Sequence, residues 1–85
     1  MKTFSYEIND EIGIHARPAG LLVKEAKKFA SRVVSKKGDK SAEATKLMAV
    51  MGLGVKCKDT VEIEIEGEDE AAAYEALKTF FEANL

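Results

Sequence analysis

Residues Thr60-Val61-Glu62-Ile63-Glu64-Ile65-Glu66 alternate between apolar and acidic side chains without a break. Successive side chains of a strand point to opposite faces, so Val61, Ile63 and Ile65 share one face and the glutamates the other. A sheet containing such a strand keeps one face in water, the habit of antiparallel sheets. Its apolar face must be covered by a second layer.

The rest of the chain supplies both layers. Phe4, Tyr6 and Ile8 alternate with Thr3, Ser5 and Glu7, which predicts a half-buried strand. Arg32 to Lys36 favours another strand, Lys37-Gly38-Asp39 a turn, and Lys40 to Ala44 a shorter returning strand with Ala42 and Ala44 on one face. Helical spacing of Ala19, Leu22, Val23, Ala26, Phe29 and Ala30, with Pro18 in the first turn, predicts a helix from about Ala16 to Lys28. The segment Leu47 to Gly54 is expected as a short helix with Val50, Leu47 and Leu53 facing inward. A last helix, with Asp69 as expected N-cap and acidic neighbours in its first turn, offers Ala73, Tyr74, Leu77 and Phe81, joined by Phe80 and Leu85. The order strand, helix, strand, strand, short helix, strand, helix predicts a two-layer α/β sandwich, an antiparallel sheet with its helices on one face.

With 85 residues, the chain is expected to form a single domain over residues 1–85. Its 46% hydrophobic and 33% charged residues exclude a disordered or fibrous chain. The longest apolar run is too short for a bilayer, and Met1-Lys2-Thr3-Phe4-Ser5 lacks a secretory core, so a cytoplasmic protein without membrane insertion is expected. Cys57 is the only cysteine and His15 the only histidine, which rules out an internal disulfide and leaves no Cys/His set for zinc. A net charge of −2 argues against general nucleic-acid binding.

The chemistry concentrates in Gly13-Ile14-His15-Ala16-Arg17-Pro18-Ala19. A helix start ordinarily takes Ser, Thr, Asp or Asn to bond its first free amides, and none stands here. Those amides and the helix dipole therefore favour an anion from outside. Arg17 at the positive end of the dipole is mildly unfavourable, on the order of 0.3 to 1 kcal/mol, and such a broken local rule marks function. A lone histidine is ordinarily a plain surface or core residue, but this context points to anion chemistry. Arg17 and the dipole should lower the His15 pKa and keep the ring neutral and nucleophilic, while the planar Arg17 fork suits two phosphoryl oxygens. Arg17, Gly20, Lys24 and Lys27 are spaced as one helical stripe leading away from His15, a patch that would steer acidic partners. Met48 and Met51, three apart and flexible, suit a surface that packs against several partners.

The Gly-Ile-His-Ala-Arg-Pro-Ala segment resembles the phosphorylation-site signature of the HPr family, the histidine-containing phosphocarriers of the phosphoenolpyruvate-dependent sugar phosphotransferase system. The resemblance covers the whole chain, including Leu47 to Gly54 and Glu66-Gly67-Glu68-Asp69-Glu70 before the last helix. It implies an open-faced sandwich with strand order 1-4-2-3 and three helices on one face. It implies further that His15 takes a phosphoryl group on Nδ1 from enzyme I and passes it to EIIA domains, with Arg17 and the amides of Ala16 and Arg17 as stabilisers. Gly20, Lys24, Lys27, Leu47, Met48 and Met51 are then expected on the docking face. The family implies a monomeric carrier rather than an enzyme, needing no metal or other cofactor. The regulatory serine that some members carry just before the apolar segment is replaced by Lys46, which implies no regulation by the ATP-dependent serine kinase. Two alternatives stand beside this: a paralogue in a nitrogen-related or dihydroxyacetone-kinase relay, and a binding module in which His15 is incidental.

Overall fold

The computed structural model describes residues 1–14 and 16–85. Its elements run β1 (Lys2–Glu7), α1 (Ala16–Ala26), β2 (Arg32–Lys37), β3 (Lys40–Glu43), α2 (Leu47–Gly52), β4 (Thr60–Glu66) and α3 (Glu70–Asn84). The four strands form one antiparallel sheet in the order β1-β4-β2-β3, with Phe4 opposite Ile63 and Val33 opposite Ile65. The expected fold class and strand order therefore hold.

Alternation in β4 decides the layering. Val61, Ile63 and Ile65 are fully buried, and each such side chain contributes about 1.5–3 kcal/mol relative to exposure. Ala19, Leu22, Val23 and Ala26 of α1, Val50 of α2, and Ala73, Leu77 and Phe81 of α3 complete the core from the helix layer. Phe81 is the aromatic hub, meeting Phe4, Tyr6 and Phe80 edge-on at 5.7, 5.6 and 5.9 Å between ring centres. The opposite face carries Glu62, Glu64, Lys36 and Glu43, with Lys36 bonded to Glu64 at 2.8 Å across the β2–β4 pair. Glu64 accordingly raises the Lys36 pKa.

Four local expectations are corrected. The first helix stops at Ala26 rather than Lys28, because its end tightens: the amides of Lys28 and Phe29 bond three residues back, to Glu25 and Ala26. Ala30 is exposed instead of continuing the apolar stripe. Asp69 occupies the N-cap position of α3 but makes no side-chain cap bond there. Its carboxylate instead accepts hydrogen bonds from the amides of Ala30 and Ser31, both at 2.9 Å, and from the Ser31 hydroxyl. The entry to β2 outcompetes the amides of its own helix, and the Ser31 hydroxyl, followed by the Ala30 amide, holds the carboxyl below its usual range. Leu47, expected inward, is 39% exposed. The six-residue α2 meets the core through Val50, with Leu53 buried just past its end, and its first position lies beyond that contact.

Ser35 was not anticipated in the interior. It faces the helix layer between Ala42 and Ile63, fully buried, and its hydroxyl has no partner among the described residues.

Candidate functional site

The segment entering α1 is built from the bottom up by backbone pairing. Beyond β1, the Ile8 amide donates to the Asp59 carbonyl at 2.9 Å and the Lys58 amide to the Ile8 carbonyl at 2.8 Å. The chain then turns at Asp10: the Ile12 amide donates to Asp10 Oδ1 at 2.9 Å and the Gly13 amide to the Asp10 carbonyl at 3.0 Å. The Ile14 amide bonds the Val55 carbonyl at 3.0 Å, and the Ile14 side chain is buried as an anchor.

Gly13 is what permits this contact. Its φ of +83° lies in the left-handed region, and a Cβ there would meet the Val55 carbonyl oxygen and sit 2.6 Å from Lys56 Cα. The loop that leads into α1 thus lies directly on the chain that follows α2. That second chain is itself braced. Lys37 Nζ reaches the Gly54 carbonyl and Asp59 Oδ2, both at 2.9 Å, and the Lys56 amide donates to Asp59 Oδ2 at 2.9 Å. The Lys37 bond, followed by that amide, lowers the Asp59 pKa. Lys58 adopts φ +75°, an uncommon conformation for a side-chain-bearing residue.

His15, the predicted phosphoryl acceptor, lies outside the described residues, as does the expected lowering of its pKa. Its neighbours are clear. α1 begins at Ala16 with no acidic residue in its first turn, Ala16 and Arg17 are exposed, and Pro18 and Ala19 are buried. Arg17 lines a cleft of about 270 Å³ with Asp10, Pro18, Leu21, Ala83 and Asn84, between the start of α1 and the end of α3. Beside the cleft, the Leu85 carbonyl after α3 accepts from the amides of Asn9 and Asp10. An exposed guanidinium in the first turn of a helix can neutralise an oxyanion without enclosing it.

Gly20, Lys24 and Lys27 follow Arg17 along the outer side of α1 and its final turn, with Gly20 half-buried and both lysines exposed. Arg17, Lys24 and Lys27 form no ion pair among the described residues, whereas Lys28 is neutralised by Glu25 at 3.0 Å. α2 packs beside α1 and presents Met48, 77% exposed, and Leu47, while Met51 is half-buried against the core. Lys46 stands extended at the N-cap of α2, exposed and making no side-chain cap bond.

Sequence reasoning missed three residues of this surface. Leu21 is 42% exposed, and its spacing of four from Arg17 could have placed it on the basic stripe. Ile12 is 68% exposed on the entry loop, a position with no periodicity to betray it. Asp10 enters the cleft only through the approach of the two helix ends. Among the described residues, no group of three or more His, Cys, Asp or Glu could hold a metal, and no helix is long and apolar enough to cross a membrane.

Comparison with known proteins agrees with the fold. The family model described as the PTS HPr component phosphorylation site matches residues 2–83. The phosphocarrier protein HPr of Lysinibacillus sphaericus is 43% identical, over 93% of this chain and 90% of its own. The HPr-like protein Crh of Halalkalibacterium halodurans is 38% identical, over 89% of this chain and 90% of its own. The crystal structure of HPr-C-His from Thermoanaerobacter tengcongensis superposes with a TM-score of 0.93 at 40% identity, covering 98% of this chain and 93% of that one.

Proposed function

This chain belongs to the HPr family of phosphotransferase-system phosphocarriers, and on that premise we propose that His15 carries the phosphoryl group. It takes that group from a phosphohistidine of enzyme I, charged by phosphoenolpyruvate, and hands it to an EIIA protein or domain for sugar uptake. In the transfer, the donor N–P bond breaks with its electron pair left on the donor ring. The lone pair of the neutral His15 ring forms the new N–P bond on Nδ1, and one proton moves in the opposite direction.

The observation that carries this reading is Arg17: an exposed guanidinium without an ion-pair partner among the described residues, in the first turn of a helix that has no acidic residue there. Its fork and the amides of Ala16 and Arg17 are the counter-charge for three phosphoryl oxygens. The site is open on its cleft side, which suits a group that must leave as readily as it arrives. The protein acts as a single cytoplasmic domain and as a monomer, without metal or other cofactor. Gly20, Lys24, Lys27, Leu47, Met48 and Met51 form its docking face, an apolar patch rimmed by cations.

Incubation with enzyme I and labelled phosphoenolpyruvate tests the reading. One acid-labile phosphate per chain is expected, lost in His15→Ala and discharged by at least one member of an EIIA panel. Absence of label, or label on His15→Ala, refutes it. Met48→Glu should raise the KM towards enzyme I while leaving the melting temperature unchanged.

The likeness to Crh, the Bacillus subtilis catabolite repression HPr, supports a second, regulatory reading. Lys46 weighs against the form of it that depends on serine phosphorylation, since lysine offers the kinase no hydroxyl. An acid-stable phosphate acquired from ATP would restore that reading.

A further inference from the structure

Asp10 lines the same cleft as Arg17, with its backbone and one carboxylate oxygen held by hydrogen bonds. Its amide donates to the Leu85 carbonyl at 2.9 Å, its carbonyl accepts from Gly13, and Oδ1 accepts from the Ile12 amide at 2.9 Å. Those bonds use one carboxylate oxygen, and the other makes no hydrogen bond or ion pair among the described residues. Turning the carboxylate away breaks its bond to the Ile12 amide in the turn that feeds α1. Its placement is odd for a simple anion site, since a carboxylate there weakens the field of the guanidinium that must hold the phosphoryl group.

We propose that Asp10 is a positioning residue that sets the phosphoryl-transfer potential: its fixed carboxylate offsets part of the Arg17 charge, so that phosphorylated His15 is held loosely enough to be discharged. The inference rests on the reading that His15 carries the phosphoryl group. A carrier that bound the group too well would be loaded by its donor and then fail to unload. A cleft with Arg17 alone tends towards that trap, and a second fixed charge of opposite sign moves the equilibrium back towards release.

Asp10→Asn keeps an oxygen that can accept from the Ile12 amide and removes only the charge, so the turn is retained. Asp10→Ser is a second neutral variant that can make the same bond. The measurement is the phosphorylated fraction at equilibrium with enzyme I at fixed ratios of phosphoenolpyruvate to pyruvate. Both variants should shift the equilibrium about three- to tenfold towards the phosphorylated form, the scale of one charge acting across a water-filled cleft. Asp10→Glu should restore the wild-type value, and the Asp10→Asn shift should shrink below twofold in 1 M salt, where charges across an open cleft are screened. A neutral variant that equilibrates within twofold of wild type, or an equal shift in 1 M salt, overturns the proposal. Failure of the wild-type chain to take up phosphate at all would instead overturn the phosphocarrier reading beneath it.

Discussion

Replacing Gly13 with alanine tests whether the loop entering α1 is held by close contact with the chain after α2. Two costs are legible in the geometry. Holding a non-glycine residue at φ +83° costs roughly 1–2 kcal/mol. The added Cβ also meets backbone atoms, the Val55 carbonyl oxygen and Lys56 Cα at 2.6 Å, and these cannot swing aside as a side-chain end could. Relief of such overpacking costs about 1–3 kcal/mol, so Gly13→Ala should lose about 2–5 kcal/mol in urea unfolding. In a chain of 85 residues each kcal/mol moves the melting temperature by about 4–8 °C, giving a fall of at least about 8 °C. Gly38→Ala is the control. Gly38 also has positive φ, at +61°, but a Cβ there meets nothing within 4 Å, so only the conformational cost applies. The difference between the two variants isolates the contact. A Gly13→Ala protein that unfolds at the same urea concentration as Gly38→Ala would refute the reasoning.

Ser35→Ala should stabilise the protein by about 1 kcal/mol in urea unfolding, because a buried hydroxyl without a partner is removed at the cost of a small void; a loss of stability would show that the hydroxyl is satisfied. Asp69 gives a pH dependence of defined sign. Its carboxyl is held below its ordinary pKa by the Ser31 hydroxyl and by the amides of Ala30 and Ser31. Its contribution is therefore present above the ordinary carboxylate pKa and lost as pH falls through the lowered value. Urea midpoints measured between neutral pH and about pH 2 should fall on the acid side, and Asp69→Asn should be less stable at neutrality with a shallower acid decline. An unchanged acid slope in Asp69→Asn would assign the acid sensitivity to Asp59 and Glu70, whose carboxyls are also held low, by Lys37 and by the N-terminal ammonium.

Much of the architecture is written in side-chain period. The alternation of Thr60 to Glu66 and of Phe4 to Ile8 states which faces are buried, and the spacing of Ala19, Leu22, Val23 and Ala26 states which side of α1 meets them. These patterns are local, and burial rewards them wherever the element lands. The candidate site rests on signals of the same local kind: a helix start without Ser, Thr, Asp or Asn and an arginine in the first turn are visible within a few residues. The misses lie where sequence neighbours do not compete alone. Asp69 looked like an ordinary N-cap until the chain entering β2, 38 and 39 residues away, offered its amides. Leu47 looked like core because a short apolar run does not say which of its members the helix layer reaches.

The sequence alone determines the element order, the two-layer sandwich with one wet sheet face, and the placing of Arg17 in the first turn of a helix, because each follows from spacing along a single segment. Only the tertiary structure decides that Gly13 lies against Val55 and Lys56, that Ser35 is sealed without a partner, and that Asp10 and Arg17 share one cleft with the end of α3. Those facts depend on which distant segments meet, and close packing sets them through atoms that no residue pattern specifies in advance.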